Sequence, residues 1–240
     1  MRKAQLRRQA ERAVSIGETG EYLLPDNKLV SIKLEIKKSK QETKTIDQTT
    51  FKNLLSQTFP PLSDANETKI FIAEETTLEG ASRMHALLQN QKNEEEEHVC
   101  VLNFASARNP GGGFLKGSQA QEESLCRNSA LYECIRDSDM YTANERDSNR
   151  LLYQNMAVYT PLCPVFGEDD NAEGILLKEP LKITFITMPA PNVACLSKGV
   201  TTQQFKQTFE NRINAVFAIA AHYGHKNLVL GAFGCGVFGN

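Results

Sequence analysis

From residue 69 onward, short apolar runs of strand length alternate with longer segments of helical period, and this alternation restricts the possible folds more than any other feature. The runs are Ile70-Phe71-Ile72-Ala73, Val99–Phe104, 156–165, 183–188 and Leu228-Val229-Leu230. Between them the sequence predicts a helix from Thr77 to about Asn90, opened by the capping box Thr76-Thr77-Leu78-Glu79. A second helix follows residue 120, its Leu125, Cys126, Ala130, Leu131, Cys134 and Ile135 forming a stripe wide enough to seat on a sheet. A long third helix is expected over 202–223. Strands and helices in this order give an α/β fold, a three-layer α/β/α sandwich.

The first 68 residues read as an extension packed on that core. Leu6, Ala10, Ala13 and Ile16 fall at helical spacing with Arg7, Arg8 and Arg12 between them, predicting an amphipathic helix over 2–20 whose basic face is solvated. Val30, Ile32, Leu34 and Ile36 alternate with polar residues, predicting a half-buried edge strand, with the Lys- and Thr-rich stretch beyond it a loop or ragged edge. The acidic run 94–97 reads as a solvated turn. A length of 240 residues favours one structural domain, divided into residues 1–68 (helical extension and edge strand) and 69–240 (core).

Charge and cysteine usage remove several classes of function. Twenty-seven basic against 29 acidic residues leave a net charge of −2, so an anionic ligand must be held by a local site, and neither a nucleic-acid partner nor a membrane is indicated. The six cysteines (Cys100, Cys126, Cys134, Cys163, Cys195, Cys235) show no C-x-x-C pair or nearby histidine cluster, which argues against a metal centre and against a disulfide framework. The longest apolar run, 215–221, is far short of the roughly 20 residues of a membrane helix, and the Arg-rich start lacks a secretory apolar stretch. A cytoplasmic location is expected. His85, His98, His222 and His225 lie in polar stretches or beside a helix end and are given no role.

Two glycine-rich segments carry the chemistry. The first is Gly111-Gly112-Gly113, after the strand Val99–Phe104 and before Gln121-Glu122-Glu123 at a helix start. Three glycines cost backbone entropy; a bulky ligand pressing on bare backbone, with the N–H groups pointed at it, would explain them, and a flexible surface turn is the plain alternative. Adjacent glutamates are ordinary on solvated helix faces, but neighbours on a helix point about 100° apart, so one can face a cleft while the other braces a loop. The helix start lowers a carboxylate pKa, whereas desolvation and the neighbouring charge raise it. A general acid needs the raising effects to win, so the catalytic glutamate is expected to be desolvated once substrate binds.

The second segment is Gly231-Ala232-Phe233-Gly234-Cys235-Gly236-Val237-Phe238-Gly239, directly after Leu228-Val229-Leu230. A glycine loop at a strand's C-terminal end can converge its amides on a diphosphate. Gly234-x-Gly236-x-x-Gly239 also matches the dinucleotide-binding fingerprint, leaving a nicotinamide-dependent oxidoreductase as the least favoured option. Cys235 reads as a small residue tolerated in a phosphate loop, since a thiolate would repel a diphosphate.

The stretch Asn103-Phe104-Ala105-Ser106-Ala107-Arg108-Asn109-Pro110-Gly111-Gly112-Gly113, then Gln121-Glu122-Glu123-Ser124-Leu125-Cys126-Arg127, resembles the signature of bacterial-type poly(ADP-ribose) glycohydrolases. The Gly231–Asn240 segment resembles that family's diphosphate-binding loop, and Met188-Pro189-Ala190-Pro191-Asn192 its strand-end motif, so the likeness runs from about Glu74 to the last residue. The resemblance implies a macrodomain-like fold with a mixed sheet and an added N-terminal helix. It also implies an exo-acting glycohydrolase that binds poly(ADP-ribose) or ADP-ribose, acts on ADP-ribosylated proteins and needs no cofactor. Carried over by position, Glu123 is the catalytic acid and Glu122 binds ribose hydroxyls. Gly111, Gly112, Gly113 and Gln121 contact substrate; Gly234, Cys235, Gly236 and Val237 hold the diphosphate; Phe238 packs on the terminal ribose; Glu74 touches the adenine amine. Hydrolysis would pass through an oxocarbenium-like state, with Glu123 protonating the departing ribose oxygen. Relatives continue past the Gly-Val-Phe-Gly-Asn motif with an Asp-Pro pair, a helix and a strand, so the phosphate loop is expected to be less supported here, and a non-catalytic ADP-ribose reader is the alternative.

Overall fold

The computed structural model describes residues 2–59, 68–90, 98–146, 151–169 and 174–240. The acidic run 94–97 lies outside them. Helix α1 (Arg2–Thr19) leads into the two-stranded hairpin β1 (Glu21–Leu23) and β2 (Leu29–Ser31), then α2 (Lys33–Glu42), β3 (Lys44–Ile46) and α3 (Gln48–Ser56). The remainder is α4 (Thr77–Gln89), β4 (Val99–Phe104), α5 (Gln121–Asn128), α6 (Leu131–Ile135), α7 (Asp139–Arg146), β5 (Ala157–Gly167), β6 (Leu176–Met188), α8 (Thr202–His222) and β7 (Asn227–Val229).

Five strands form one mixed sheet in the order β3-β5-β6-β4-β7. β4 runs parallel to β6 (Val101 opposite Phe185) and to β7 (Cys100 opposite Leu228), while β5 is antiparallel to β6 and to β3. Every residue from Val99 to Asn103 is buried, as expected of a strand covered on both faces. Val99 and Val101 pack with α1, α2, α4, α5, α6 and α7; Cys100 and Leu102 pack with α3 and α8 on the other face. The result is the three-layer sandwich that the alternation predicts. No helix among the described residues is long and apolar enough to cross a membrane, and no group of three metal-ligating side chains is found among them.

Three expectations are corrected. The alternation at 30, 32, 34 and 36 is not one strand: pairing stops at Ser31, and Lys33–Glu42 is helical with Ile36 buried and Leu34 exposed. Ile32 and Ile36 are also an i,i+4 pair, and the intervening Lys, Leu and Glu are good helix formers. The stretch taken for a ragged edge is therefore most of α2 plus β3, whose Ile46 pairs with Ala157. Ile70-Phe71-Ile72-Ala73 forms no strand; Ile70 is 81% and Ile72 97% exposed, because an apolar pattern makes a strand only where a neighbour supplies the ladder hydrogen bonds. No core strand thus precedes Glu74. The helix expected over 121–135 is two: the backbone at Ser129 and Ala130 leaves the helix to bond β5, Ala130 N–H reaching Pro164 O at 2.9 Å.

Candidate active site

Because β4, β6 and β7 are parallel, the segments following all three emerge at one edge of the sheet. Ala105 N–H donates to Met188 O at 3.2 Å, and the rings of Phe104 and Phe233 lie 6.0 Å apart. A Cβ at Gly231 would stand 2.9 Å from Phe104 Cζ, and one at Gly234 would touch Ala190 Cβ at 3.0 Å. The Pro189-Ala190 turn and the 231–240 loop therefore meet at the sheet end from which the triple-glycine loop also leaves.

Gln121 sets the helix that carries the glutamates. β7 accompanies β4 only as far as Val101. Beyond that point the Gln121 carboxamide takes the neighbour's place, accepting from Phe104 N–H at 2.9 Å and donating to Leu102 O at 2.7 Å, with Thr77 Oγ1 at 3.3 Å. Read from sequence as a substrate contact, Gln121 has its carboxamide committed to the protein's own backbone, which fixes the first turn of α5.

The two glutamates of that turn differ in environment. Glu122 is 3% exposed; it accepts from Ser106 N–H at 2.7 Å and from Asn103 Nδ2 at 3.4 Å, and Asn103 Nδ2 also reaches Thr187 Oγ1 at 3.2 Å. Burial pushes its pKa up to about 8, against the lowering effect of the Ser106 amide, with the charge of Glu123 adding to the rise. Glu123 is only half-buried and accepts from Gly113 N–H at 2.9 Å. Of the pair, Glu123 is the more open to a substrate.

The glycine loop has a local reason for its composition. Gly112 sits at φ +58°, and a Cβ there would lie 2.5 Å from Glu123 Oε1 and 3.1 Å from Glu122 Oε2, so both carboxylates converge on its bare backbone. The loop's amides turn inward: Gly112 N–H goes to Asn109 O at 2.9 Å, Gly113 N–H to Glu123, and the Gly111 amide supports Glu122. The expectation that these amides point at a ligand is corrected; they orient the carboxylates, and what the loop offers a ligand is close approach.

In the second loop the amides are divided. Cys235 N–H donates to Ala232 O at 3.2 Å, Gly239 N–H to Gly236 O at 3.0 Å and Asn240 N–H to Gly234 O at 3.1 Å. The amides of Gly236, Val237 and Phe238 have no acceptor among the described residues, and a Cβ at Gly236 would meet open space. Three successive free amides suit an anion. The Gly239 and Asn240 bonds fold the segment back as a turn, unlike the helix start that a dinucleotide fingerprint requires.

Several residues of the site are given no role from the sequence. Asn240 clasps the loop to the β6 end, its Oδ1 accepting from Val193 N–H at 3.1 Å and its Nδ2 donating to Pro191 O at 2.8 Å. Arg212 of α8, 0% exposed, donates to Pro189 O (2.5 Å), Leu152 O (2.7 Å), Tyr153 O (3.0 Å) and Gln154 O (3.0 Å). It thereby fixes Tyr153, whose ring packs 5.9 Å from that of Phe238. Gln154 N–H donates to Asn144 Oδ1 at 2.7 Å, and Asn144 O accepts from Arg108 Nε at 3.2 Å, joining this layer to the first glycine loop. Asn240 and Arg108 lie inside the quoted motifs, while Arg212 leaves a different signal: it falls on the apolar stripe with Ala215, Val216 and Ile219, where a cation needs a buried partner. Glu74 is exposed and unpaired among the described residues, three positions before Thr77, which touches Gln121.

Comparison with known proteins places this arrangement. The family model described as microbial-type PARG, catalytic domain, matches residues 10–168. The crystal structure of poly(ADP-ribose) glycohydrolase from Thermomonospora curvata is 38% identical, with a TM-score of 0.88 over 98% of this chain and 82% of that one. The same enzyme bound to the inhibitor ADP-HPD gives 37% and 0.85, over 98% and 81%. Poly(ADP-ribose) glycohydrolase from Deinococcus radiodurans in complex with ADP-ribose gives 32% and 0.69, over 85% and 77%. Comparison with curated protein sequences returned no match. With two thirds of its length matched by the family model and whole-chain likeness to solved members, this chain belongs to the microbial-type poly(ADP-ribose) glycohydrolase catalytic-domain family.

Proposed function

We propose that the chain hydrolyses ribose–ribose O-glycosidic bonds of poly(ADP-ribose), releasing ADP-ribose from the polymer terminus. The observation that carries this is the convergence of Glu122 and Glu123 on Gly112, at the sheet edge shared with the free amides of Gly236, Val237 and Phe238. A pyrophosphate seated on those amides brings the attached ribose toward the carboxylates.

In this reading Glu123, oriented by Gly113 N–H, protonates the departing ribose oxygen as the anomeric carbon gains oxocarbenium character, then accepts a proton from the attacking water. Glu122, buried and held by Ser106 and Asn103, meets the neighbouring ribose hydroxyls. Gly111, Gly112 and Gly113 lie against the distal ribose and diphosphate, Phe238 covers the terminal ribose from its place on Tyr153, and Glu74 faces the adenine amine. The likeness to an enzyme solved with ADP-HPD and to another solved with ADP-ribose supports an ADP-ribosyl ligand.

The test is release of ADP-ribose from purified polymer by the wild type and by Glu123→Gln. Loss of a positioned acid lowers the rate by about 10²–10⁴. Equal rates in the two proteins, with the fold intact by circular dichroism, would remove Glu123 from the mechanism. Binding of ADP-ribose by a wild type that leaves polymer uncleaved would select the reader instead.

A further inference from the structure

The basic face of α1 was expected to be merely solvated, yet its docking gives it a particular address. α1 packs on the 3₁₀ turn Phe114–Lys116 that directly follows the triple glycine. At Gly117, φ +75°, a Cβ would stand 2.6 Å from Lys3 O and 3.2 Å from Arg7 Cγ, so the helix lies directly on the loop. Arg7 Nε donates to Lys116 O at 3.2 Å, which seats the Arg7 guanidinium on the main chain of a second basic residue. With its carboxamide oxygen turned toward the helix, Gln119 accepts from Arg2 Nη2 at 2.8 Å. Arg2, Lys3, Arg7 and Lys116 are all exposed, and none forms an ion pair with a described acid.

This cluster is tied to the reacting carboxylate by the shortest of paths. Lys116 N–H donates to Gly113 O at 2.9 Å and Ser118 N–H to the same oxygen at 3.1 Å, while Gly113 N–H holds Glu123. A 3₁₀ turn rises about 2 Å per residue, so the Lys116 backbone stands about 6 Å along the turn from Gly113. In a chain whose net charge is −2, four like charges without a counter-ion among the described residues, beside an acid catalyst, are a local feature with a local use.

We propose that Arg2, Lys3, Arg7 and Lys116 form an anion-binding surface for the part of the polymer that leaves. This rests on the glycohydrolase reading. When the terminal unit occupies the site, the next ADP-ribose unit emerges beside Glu123 and carries a pyrophosphate of its own, and the cluster takes that pyrophosphate. The surface reads charge and not bases, so it raises affinity for polymer over small ADP-ribosyl ligands and does so in a salt-dependent way.

The experiment compares the wild type with the Lys3→Gln, Arg7→Gln, Lys116→Gln triple variant, and with a charge-keeping Lys3→Arg, Lys116→Arg variant. KM for long poly(ADP-ribose) is measured from low to high salt, and affinity for free ADP-ribose by calorimetry. The triple variant raises the polymer KM about tenfold at low salt, lowers the slope of log KM against log salt by about two, and leaves ADP-ribose affinity unchanged. The charge-keeping variant behaves as the wild type. An unchanged polymer KM overturns the proposal, and so does an equal loss for free ADP-ribose, which would reduce the cluster to support for the glycine loop. Should the wild type fail to cleave polymer, the glycohydrolase reading falls separately, and the surface is judged by fluorescence anisotropy of labelled polymer on the same proteins. Tighter wild-type binding of single-stranded RNA than of polymer at equal charge, abolished in the triple variant, would overturn the choice of ligand.

Discussion

Gly113 donates its backbone N–H to Glu123 Oε1 at 2.9 Å, so the orientation of the proposed acid is set by main chain. Main chain of this shape needs Gly112 at φ +58°, with both carboxylates against it. Gly112→Ala places a Cβ 2.5 Å from Glu123 Oε1, and the flexible carboxylate swings away. The left-handed conformation costs an alanine about 1 kcal/mol. Polymer hydrolysis should fall by about a hundredfold, out of proportion to that small loss of stability, since misplacing a catalytic group by an ångström is enough. Initial rates beside thermal unfolding check this, and a variant whose activity falls only in step with its stability would contradict it.

The raised pKa of Glu122 makes stability depend on pH in a defined window. Unfolded, the carboxyl titrates near its ordinary 4.5; folded, burial holds it at about 8. Between those values the folded protein keeps a proton that the unfolded chain has released, so this group's contribution is full below about 4.5 and is lost as pH rises toward 8. Glu122→Gln, which cannot ionise, should therefore gain on the wild type as pH rises from 5 to 8, the two denaturation midpoints diverging steadily. A constant offset across that range would mean that Glu122 is ionised throughout.

Arg212 holds four carbonyls from two segments, 152–154 and Pro189, which also share the bond from Asn192 N–H to Leu151 O. Arg212→Met keeps the apolar stem but strands those acceptors, at a cost of about 3 kcal/mol. For a chain of this size that lowers Tm by about 6–12 °C. Arg212→Lys should recover only part of it, because three donors on one nitrogen cannot span the four oxygens that the planar fork reaches. Calorimetric scans of both variants decide the matter; equal Tm values for Met and wild type would show that these bonds are replaced by water without loss.

The parts legible from sequence are those fixed locally. β4, the capping box of α4 and the long α8 announce themselves through pattern and end signals within a few residues, and so do the glutamate pair and both glycine loops. Failures came where long-range partners decide. Ile32 and Ile36 satisfy a two-residue and a four-residue period alike, and only the hairpin to Glu21–Leu23 shows which one holds. Ile70-Phe71-Ile72 has a strand's composition without a ladder. In the site, Asn103 and Thr187 meet across 84 positions and Gly113 meets Glu123 across ten, so the inward turn of the glycine amides had no trace in the motif that named them.

Asn240 supplies the last prediction, because its side chain joins the second loop to the β6 end with one donor and one acceptor. Its Oδ1 takes Val193 N–H and its Nδ2 gives to Pro191 O, while its own amide closes the turn onto Gly234 O. Asn240→Ala leaves that turn and the bond from Val193 N–H to Phe238 O but releases the side-chain clasp, so the amides of Gly236, Val237 and Phe238 are less firmly held against the β6 end. Ordering them again on each binding event draws on the binding free energy, at about 1 kcal/mol or more for each fixed residue. ADP-ribose affinity should drop about tenfold and KM for polymer rise to match, whereas kcat at saturation changes little because Glu123 is held by the other loop. Asn240→Asp separates the two bonds: it keeps the acceptor for Val193 and removes the donor to Pro191, so its affinity should fall between the two. A kcat loss equal to the KM change in Asn240→Ala would instead place the clasp in the chemical step and join the two loops into one unit.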